Sequence, residues 1–250
     1  MAKALITGAS SGIGREIAYK LSKMGYDLIL VARRKKRLEE TAAACTSGTK
    51  IIEADLSDET EVLNLYNKVK DEDIDIVINN AGFGLFGEFS KTDLDREINM
   101  IKLNIKAVHI LTKLFLKDFL KKDRGYILNV ASSASFLPGP LMSTYYATKA
   151  YVQRLTLAIS EEIRKEKSHV YIGAFCPGPV DTEFNSVADV KFNLKGISSK
   201  FAAEYAVKKM LKRKILIVPG KMIKAGVFVQ RFIPVKPLLK ISYYLQKRKT

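Results

Sequence analysis

Few cysteines, few histidines and no long apolar run characterise this chain of 250 residues. Cys45 and Cys176 are too few for a disulfide-stabilised scaffold, and two histidines do not give the clustered spacing of a zinc site. We therefore expect no metal and a reducing, intracellular setting. Hydrophobic residues make up 47% of the chain, which is enough for a large buried core and excludes intrinsic disorder.

The apolar runs are too short for an export signal or a membrane-spanning helix. Near the N-terminus the apolar residues 4–6 end at Thr7 and Gly8, whereas a secretory signal needs a longer apolar core. Lysines and arginines interrupt the apolar stretches near the C-terminus, so none approaches the roughly 18 residues that suggest a spanning helix. We expect a cytoplasmic protein that contacts a membrane, if at all, only peripherally.

Acidic residues are absent from residues 205–250, which carry 13 Lys and Arg. The whole chain has 42 basic and 26 acidic residues and a formal net charge of +16, but residues 1–204 account for only +3 of it. The excess positive charge is therefore a property of the C-terminal segment. No nucleic-acid-reading motif accompanies this charge, so we expect no nucleic-acid partner.

Strand-like and helix-like segments alternate along the chain. β-Branched apolar runs are followed by turns and amphipathic stretches, a pattern typical of parallel strands joined by helical crossovers. We expect an α/β fold with a Rossmann-like, doubly wound, seven-stranded parallel sheet flanked by helices. The predicted strands are residues 3–7, 27–32, 50–54, 75–79, 125–131, 170–175 and 215–218.

Apolar stripes of helical period predict which helix faces lie on the sheet. No linker, repeat or low-complexity tract precedes residue 220, so we expect one dinucleotide-binding catalytic domain over residues 1–220. A basic amphipathic helical extension follows over residues 221–250. The stripes are Ile13, Ile17, Leu21 and Met24 in the first helix, and Ile101, Ile105, Val108, Leu111, Phe115 and Phe119 in a later one.

A glycine-rich turn, TGASSGIG over residues 7–14, follows the first predicted strand and leads into a helix. Glycines there let the chain turn sharply, let backbone N–H groups approach a pyrophosphate and let the helix pack closely on the strand. Glycine also marks plain loops, and the first gap holds three residues rather than the more common one. The strand before and the helix after favour a dinucleotide site.

The second predicted strand ends without an acidic residue. Ala32 stands where a carboxylate would bind a ribose 2′-hydroxyl, and Arg33 follows it. A guanidinium with no nearby acid favours a 2′-phosphate, so we expect NADP(H) in preference to NAD(H). We interpret the basic residues 34–37 as the solvated start of a helix.

Tyr145 and Lys149 lie four residues apart, so on a helix they share one face. An ammonium there lowers the phenol pKa from about 10, as a general acid–base requires, although this spacing also occurs on ordinary amphipathic helices. Ser132 follows a predicted strand, where an open α/β sheet forms its ligand crevice. Its hydroxyl could hold a substrate oxygen. Ser133 is the alternative, because one residue of register decides which hydroxyl faces the crevice.

These motifs occur in an order that resembles the short-chain dehydrogenase/reductase family. The resemblance covers roughly residues 3–218 and implies an NAD(P)(H)-dependent alcohol–carbonyl oxidoreductase. Besides the glycine-rich turn it rests on Asp55-Leu56, Asn79-Asn80-Ala81-Gly82, Asn104, Ser132, Tyr145 with Lys149, and PGPVDT over residues 177–182.

The resemblance implies a role for each of these residues. Tyr145 would be the acid–base, and Ser132, at the family's usual spacing, would orient the carbonyl. Lys149 would bind the nicotinamide ribose and tune Tyr145, and Asn104 would hold a proton-relay water. The implied cofactor contacts are Gly8, Ser10, Ser11, Gly12, Ile13, Gly14, Arg33, Asp55, Leu56, Asn80, Ala81, Gly82, Tyr145, Lys149, Pro177, Gly178, Val180 and Thr182.

Within that set, Asp55 and Leu56 would meet the adenine, residues 80–82 would line the cofactor floor, and Val180 and Thr182 would hold the carboxamide. Taken singly, Asp55 could begin a turn, Asn80 could cap local backbone and Asn104 could be a buried polar group. Their joint occurrence in this order favours the site.

Residues 83–89, 136–143 and the loop following Thr182 should overhang the crevice, and they are rich in apolar residues. We expect a largely apolar carbonyl or alcohol substrate, such as a steroid, a bile acid, a xenobiotic carbonyl or a fatty-chain 3-ketone. The alternatives are a 3-oxoacyl reductase and a non-catalytic NADP(H)-binding, membrane-associated protein. The resemblance also implies a homodimer or homotetramer formed through the helices around Asn104 and Tyr145, although the extension could obstruct one interface.

The extension mixes apolar and basic residues. Leu238, Ile241 and Leu245 recur at helical spacing, and Pro234 and Pro237 break the segment in two. Such a segment could lie on an anionic membrane surface or on a partner subunit. It could equally dock on its own domain with a solvated basic face.

Overall fold

A seven-stranded sheet lies at the centre of the protein. The structure is a computed structural model, and it describes residues 2–184 and 196–247. Two further short strands pair in parallel outside the main sheet. The main strands are β1 (Lys3–Thr7), β2 (Asp27–Ala32), β3 (Thr49–Glu53), β4 (Ile76–Asn79), β5 (Tyr126–Val130), β6 (Tyr171–Phe175) and β9 (Leu216–Ile217), and the short pair is β7 (Val180–Asp181) and β8 (Ile197–Ser198).

The strand order in the main sheet is β3-β2-β1-β4-β5-β6-β9, and every neighbouring pair is parallel. The chain moves outward from β1 to β3 and then returns to the other side of β1 through β4. The carboxyl ends of strands at such a switch point frame the ligand crevice of a doubly wound sheet. The predicted fold class is confirmed, and each predicted strand lies within one residue of the observed bounds.

Helices cover both faces of the sheet. Because side chains alternate along a strand, Ile6 of β1 packs on one layer of helices and Leu5 packs on the other. The helices are α1 (Gly12–Ser22), α2 (Lys35–Ala43), α3 (Glu59–Val69), α4 (Leu94–Ile101), α5 (Val108–Lys122), α6 (Ser143–Lys165), α7 (Ser199–Leu211), α8 (Lys221–Val229) and α9 (Val235–Lys247), with a π-helical turn at Lys102–Ala107 and 3₁₀ turns at Ser133–Phe136 and Gln230–Phe232.

The π-helical turn shifts the buried face of the segment that joins α4 to α5. Before the turn Met100 is buried and Ile101 is 37% exposed, whereas Val108 after the turn is buried as predicted. A π turn adds a residue to the helical repeat. An apolar stripe of constant period therefore predicts the buried positions on one side of the turn but not on the other. The prediction for Ile101 is wrong for this reason. Met24 is also exposed, because α1 ends at Ser22.

The extension folds as two helices. Gly220, with φ of +85°, precedes α8, whose first residue is Lys221. Pro234 separates the helices, whereas Pro237 lies in the first turn of α9, where its missing N–H leaves no helical bond unmade. Among the described residues, none of the helices is both long enough and apolar enough to cross a membrane.

Candidate active site

A cavity of about 880 Å³ lies at the carboxyl ends of the central strands. The glycine-rich turn forms one end, and α8 and α9 close the other. After the roles expected from the sequence, we call them the nucleotide end and the substrate end. Two predicted site residues, Gly14 and Asn104, lie behind the wall. The predicted residues that line it are Gly8, Ser10, Ser11, Gly12, Ile13, Arg33, Asp55, Leu56, Asn80, Ala81, Gly82, Ser132, Tyr145, Lys149, Pro177, Gly178, Val180 and Thr182.

The glycine-rich turn has the geometry of a dinucleotide cradle. Gly8 and Gly12 have φ of +65° and +55°, values that favour glycine. A Cβ on Gly14 would lie 2.4 Å from the Gly8 carbonyl oxygen, so Gly14 lets α1 pack tightly on the turn. The first turn of α1 has no acidic residue, and Ser11 makes no side-chain cap. Uncapped N–H groups at a helix start attract anions, so this turn fits the pyrophosphate of a nicotinamide dinucleotide.

Three arginines and two carboxylates meet at the nucleotide end. Arg33 Nη1 lies 3.7 Å from Asp55 Oδ2, so the expectation that Arg33 has no nearby acid is wrong. Glu183 pairs with Arg34 at 2.8 Å and with Arg37 at 2.9 Å. The basic run does begin α2, and Arg34 and Arg37 are about half exposed as interpreted, but both are also ion-paired with Glu183. The partner that orders both guanidinium groups is distant in sequence.

Arg34 connects this charged cluster to the glycine-rich turn. Its Nη2 donates to Ser11 Oγ at 3.1 Å and to Ser10 Oγ at 3.4 Å. A hydrogen bond from Arg34 is the main cause that holds the pKa of Glu183 below its ordinary value, so this carboxylate is ionised at neutral pH. Arg34 was missed as a site residue because only the folded chain brings Glu183 to it.

Ser132 and Tyr145 lie together on the cavity wall. Ser132 follows β5 in an extended conformation, and its Oγ accepts the Ala134 N–H at 3.1 Å. The Ser132 side chain also acts on Tyr145 and lowers its pKa, although burial outweighs this effect. Ser133 lines the cavity as well, and its backbone N–H donates to the Pro177 carbonyl at 2.7 Å. The effect of Ser132 on the Tyr145 pKa favours Ser132 over Ser133.

Lys149 lies one helical turn beyond Tyr145 on α6, and both side chains are buried. Lys149 Nζ donates to the Val130 carbonyl at 2.9 Å and lies 6.0 Å from the centre of the Tyr145 ring. Burial lowers the pKa of Lys149 to about 8 and raises the pKa of Tyr145. The expected lowering of the Tyr145 pKa is therefore wrong for this structure, because removing the phenolate from water outweighs the neighbouring groups.

Asn104 is buried in the π-helical turn. Its Oδ1 accepts the Phe83 N–H at 3.1 Å, and its Nδ2 donates to the Phe83 carbonyl at 2.9 Å and to Thr148 Oγ1 at 3.1 Å. A Cβ on Gly82 would lie 2.8 Å from Asn104 Oδ1 and 3.3 Å from Lys149 Nζ. Asn104 therefore packs directly behind the cavity floor and fixes its backbone.

Apolar side chains surround Tyr145 at the substrate end. The ring of Phe184 lies 5.2 Å from the ring of Tyr145. Phe83, Leu137 and Met142, from two of the segments predicted to overhang the crevice, line the cavity with it. The remainder of the third segment, residues 185–195, lies outside the described residues.

The extension docks on its own domain and completes the substrate end. Leu238, Ile241 and Leu245, the residues at helical spacing, line the cavity. Their helical spacing indicated a helix with one apolar face, but it did not show which surface that face covers. Three hydrogen bonds hold the extension against residues 136–146, and they join Gln230 Nε2 to the Phe136 carbonyl (3.0 Å), Ser242 Oγ to the Pro138 carbonyl (3.0 Å) and Gln246 Nε2 to the Tyr146 hydroxyl.

Comparison with known proteins places the chain in a family. The family model for short chain dehydrogenases matches residues 2–210. An uncharacterized oxidoreductase of Staphylococcus epidermidis is 34% identical over 188 residues, which are 74% of this chain and 81% of that protein. A very-long-chain 3-oxoacyl-CoA reductase of Phaeosphaeria nodorum is 35% identical over 177 residues, which are 67% of this chain and 52% of the reductase.

A solved short-chain dehydrogenase from Sphingobium yanoikuyae, in complex with NADPH, has a TM-score of 0.83 and 28% identity to this chain. The superposition covers 94% of this chain and 97% of that structure. The chain therefore belongs to the short-chain dehydrogenase family and is an oxidoreductase whose fold binds a nicotinamide cofactor.

Proposed function

We propose that this protein interconverts a hydrophobic ketone or aldehyde and the corresponding alcohol with NADP(H). The observation that carries the proposal is the placement of Ser132 and Tyr145 on the wall of one cavity, between a dinucleotide cradle and an apolar chamber. A substrate oxygen held by both hydroxyls would have its developing charge neutralised there.

The proposed proton transfer uses Tyr145. When bound, the cofactor supplies or accepts the hydride. In the direction of reduction, Tyr145 donates its proton to the substrate oxygen while Ser132 holds that oxygen, and the phenolate then regains a proton from solvent. Burial keeps Tyr145 protonated, which suits this direction. Lys149 would contact the nicotinamide ribose, and Asn104 would hold the floor beside it and the relay water.

NADP(H) is the proposed cofactor in preference to NAD(H). Arg33, Arg34 and Arg37 bring three guanidinium groups to the nucleotide end, against the carboxylates of Asp55 and Glu183. The remaining positive charge suits a 2′-phosphate, which binds guanidinium groups through charge-assisted hydrogen bonds. The similar Sphingobium structure contains NADPH.

An apolar carbonyl compound is the proposed substrate, because apolar side chains surround Tyr145 on several sides. A fatty-chain 3-oxoacyl compound is the second candidate, supported by the name of the Phaeosphaeria relative. A non-catalytic role is disfavoured, since such a protein would have no need of Ser132 beside the buried Tyr145 and Lys149.

We also propose a homodimer or homotetramer and a peripheral membrane contact through the extension. Leu94, Ile98 and Ile101 on α4 and Tyr151 on α6 are exposed apolar side chains near the helices expected to associate. Light scattering coupled to size exclusion tests the assembly, and a monomer at micromolar concentration would contradict it.

The activity is tested by following the oxidation of NADPH and of NADH with a panel of carbonyl compounds. We expect turnover with steroid, long-chain acyl or aromatic ketones, and a higher kcat/KM with NADPH than with NADH. Turnover confined to small sugars or hydroxy acids would contradict the proposed substrate class. A preference for NADH would contradict the proposed cofactor.

A further inference from the structure

The extension has two different faces. Its inner face lines the cavity, whereas its outer face is apolar although it faces water. Of the 19 exposed large apolar side chains among the described residues, ten belong to α8, α9 and the 3₁₀ turn between them. Phe228 and Phe232 are 60% and 73% exposed, and their rings pack on each other with centroids 5.3 Å apart. Such a concentration of exposed apolar side chains in one segment is typical of an interaction site.

Four apolar residues belong to both faces. Met222, Val229, Ile241 and Leu245 line the cavity, and each is about half exposed or more. The same side chains therefore form part of the chamber wall and part of the outer surface. We call these four residues the mouth, and they give an apolar route between the outer surface and the chamber.

Basic residues accompany the apolar outer face. Lys221, Lys224, Arg231, Lys236 and Lys240 are all exposed, and residues 205–250 contain no acid. A second copy of the chain that docked through the same face would bring like charges together. Nucleic acid would satisfy the charges but would leave the exposed apolar rings in water. A bilayer with anionic headgroups satisfies both, because it offers negative charge above an apolar interior.

We propose that α8 and α9 dock on an anionic bilayer surface and that apolar substrates reach the chamber from the bilayer through the mouth. Docking depends only on the charge and apolarity of the outer face. The route of the substrate rests in addition on the proposed function.

Docking is tested with the full chain and lipid vesicles. The chain contains no tryptophan, so Phe232→Trp places a single reporter on the outer face. We expect its emission to shift to the blue with vesicles of phosphatidylcholine and phosphatidylglycerol, and the binding to weaken as salt rises. Vesicles of phosphatidylcholine alone should bind at least about tenfold more weakly, since binding depends on anionic lipid.

Charge-reversal variants locate the docking surface. K236E/K240E should weaken binding to anionic vesicles at least about tenfold, because each basic residue near the surface contributes to attraction. K68E/K70E, on exposed positions of α3 and just after it, makes the same change in net charge on the body and should bind as the wild type does. Thermal unfolding checks that both variants fold. Equal binding of the two variants, or equal binding to neutral and anionic vesicles, would overturn docking.

The route of the substrate is tested by comparing a ketone dissolved in vesicles with a water-soluble ketone. K236E/K240E should lower kcat/KM several-fold for the vesicle-borne ketone and leave it unchanged for the soluble one. Equal effects on both ketones would overturn the route while docking stands. A lack of turnover with every carbonyl compound would contradict the proposed function instead, and the vesicle-binding result would not depend on it.

Discussion

The two ends of the cavity are built in different ways. The shape of the nucleotide end depends on backbone conformation, because Gly8 and Gly12 hold positive φ values in the turn that forms it. The substrate end consists of side chains from α6, Phe184 and the extension. Backbone geometry demands particular residues at fixed spacing, whereas an apolar wall accepts many sequences. Sequence motifs therefore predict the residues of the nucleotide end, whereas they predict few residues of the substrate end.

Tyr145 lies where the two ends meet, so removal of its hydroxyl should separate cofactor binding from turnover. We expect Tyr145→Phe to lower kcat by about 10²- to 10⁴-fold, the usual contribution of a general acid–base. The Kd for NADPH, measured by fluorescence titration, should not change. Tyr146→Phe is the matched control and should retain kcat within about tenfold. Similar losses in both variants would contradict the role proposed for Tyr145.

A methyl group added at the nucleotide end should lower the free energy of unfolding, whereas one added at the substrate end should not. A Cβ on Gly14 would lie 2.4 Å from the Gly8 carbonyl oxygen and 2.5 Å from Asn80 Nδ2, so Gly14→Ala forces backbone to move. We expect a loss of about 1–3 kcal/mol in the free energy of unfolding, as for overpacked cores, together with weaker NADPH binding.

The matched control lies at the substrate end. A Cβ on Gly226 of α8 would meet nothing within 4 Å, so Gly226→Ala should raise the free energy of unfolding by about 0.5–1 kcal/mol. Urea unfolding measures both changes. Equal tolerance of the two substitutions would show that the turn is not constrained as the structure indicates.

Local sequence patterns predicted the features that depend on residues close in sequence. They did not predict the contacts that are made by residues distant in sequence. The strand, turn and helix around Gly8 could be predicted because each requirement lies within a few residues. The partner of Arg34 could not, since Glu183 reaches it only in the folded chain. The position of Lys149 beside Tyr145 followed from helical spacing, but their pKa shifts depend on burial by several elements. The π turn before Val108 left no signal in the apolar stripe.

The pH dependence of stability tests how strongly burial shifts the pKa of Lys149, which lies between the two ends of the cavity. Burial lowers the pKa of Lys149 from 10.5 to about 8, so between these values the unfolded chain holds a proton that the folded chain has released. Stability then rises with pH in this window, and the full cost of burying the ammonium applies below pH 8. Relative to Lys149→Met, we expect the wild-type free energy of unfolding to rise by about 2 kcal/mol from pH 7 to pH 10.

Urea unfolding at several pH values gives this difference directly. Lys70→Met, at an exposed lysine, is the control and should show no such slope relative to the wild type. A flat difference between the wild type and Lys149→Met would mean that the ammonium is better solvated than its burial indicates.

Glu183 couples the two ends, and it gives the smallest expected effect. Its carboxylate pairs with Arg34 and Arg37, while the next residue, Phe184, packs on Tyr145. A cofactor 2′-phosphate would compete with this carboxylate for the same guanidinium groups. Because exposed ion pairs contribute about 0–1 kcal/mol, we expect Glu183→Gln to lower the Kd for NADPH by about two- to fivefold.

The Kd for NADH should change less, since NADH has no 2′-phosphate to take the place of the carboxylate. Glu161→Gln removes an exposed pair with Arg164, at 2.7 Å, away from the cavity, and should alter neither Kd. Weaker NADPH binding by Glu183→Gln would show that Glu183 positions the arginines for the cofactor. Glu183 would then stabilise the bound cofactor through the arginines rather than compete with its 2′-phosphate.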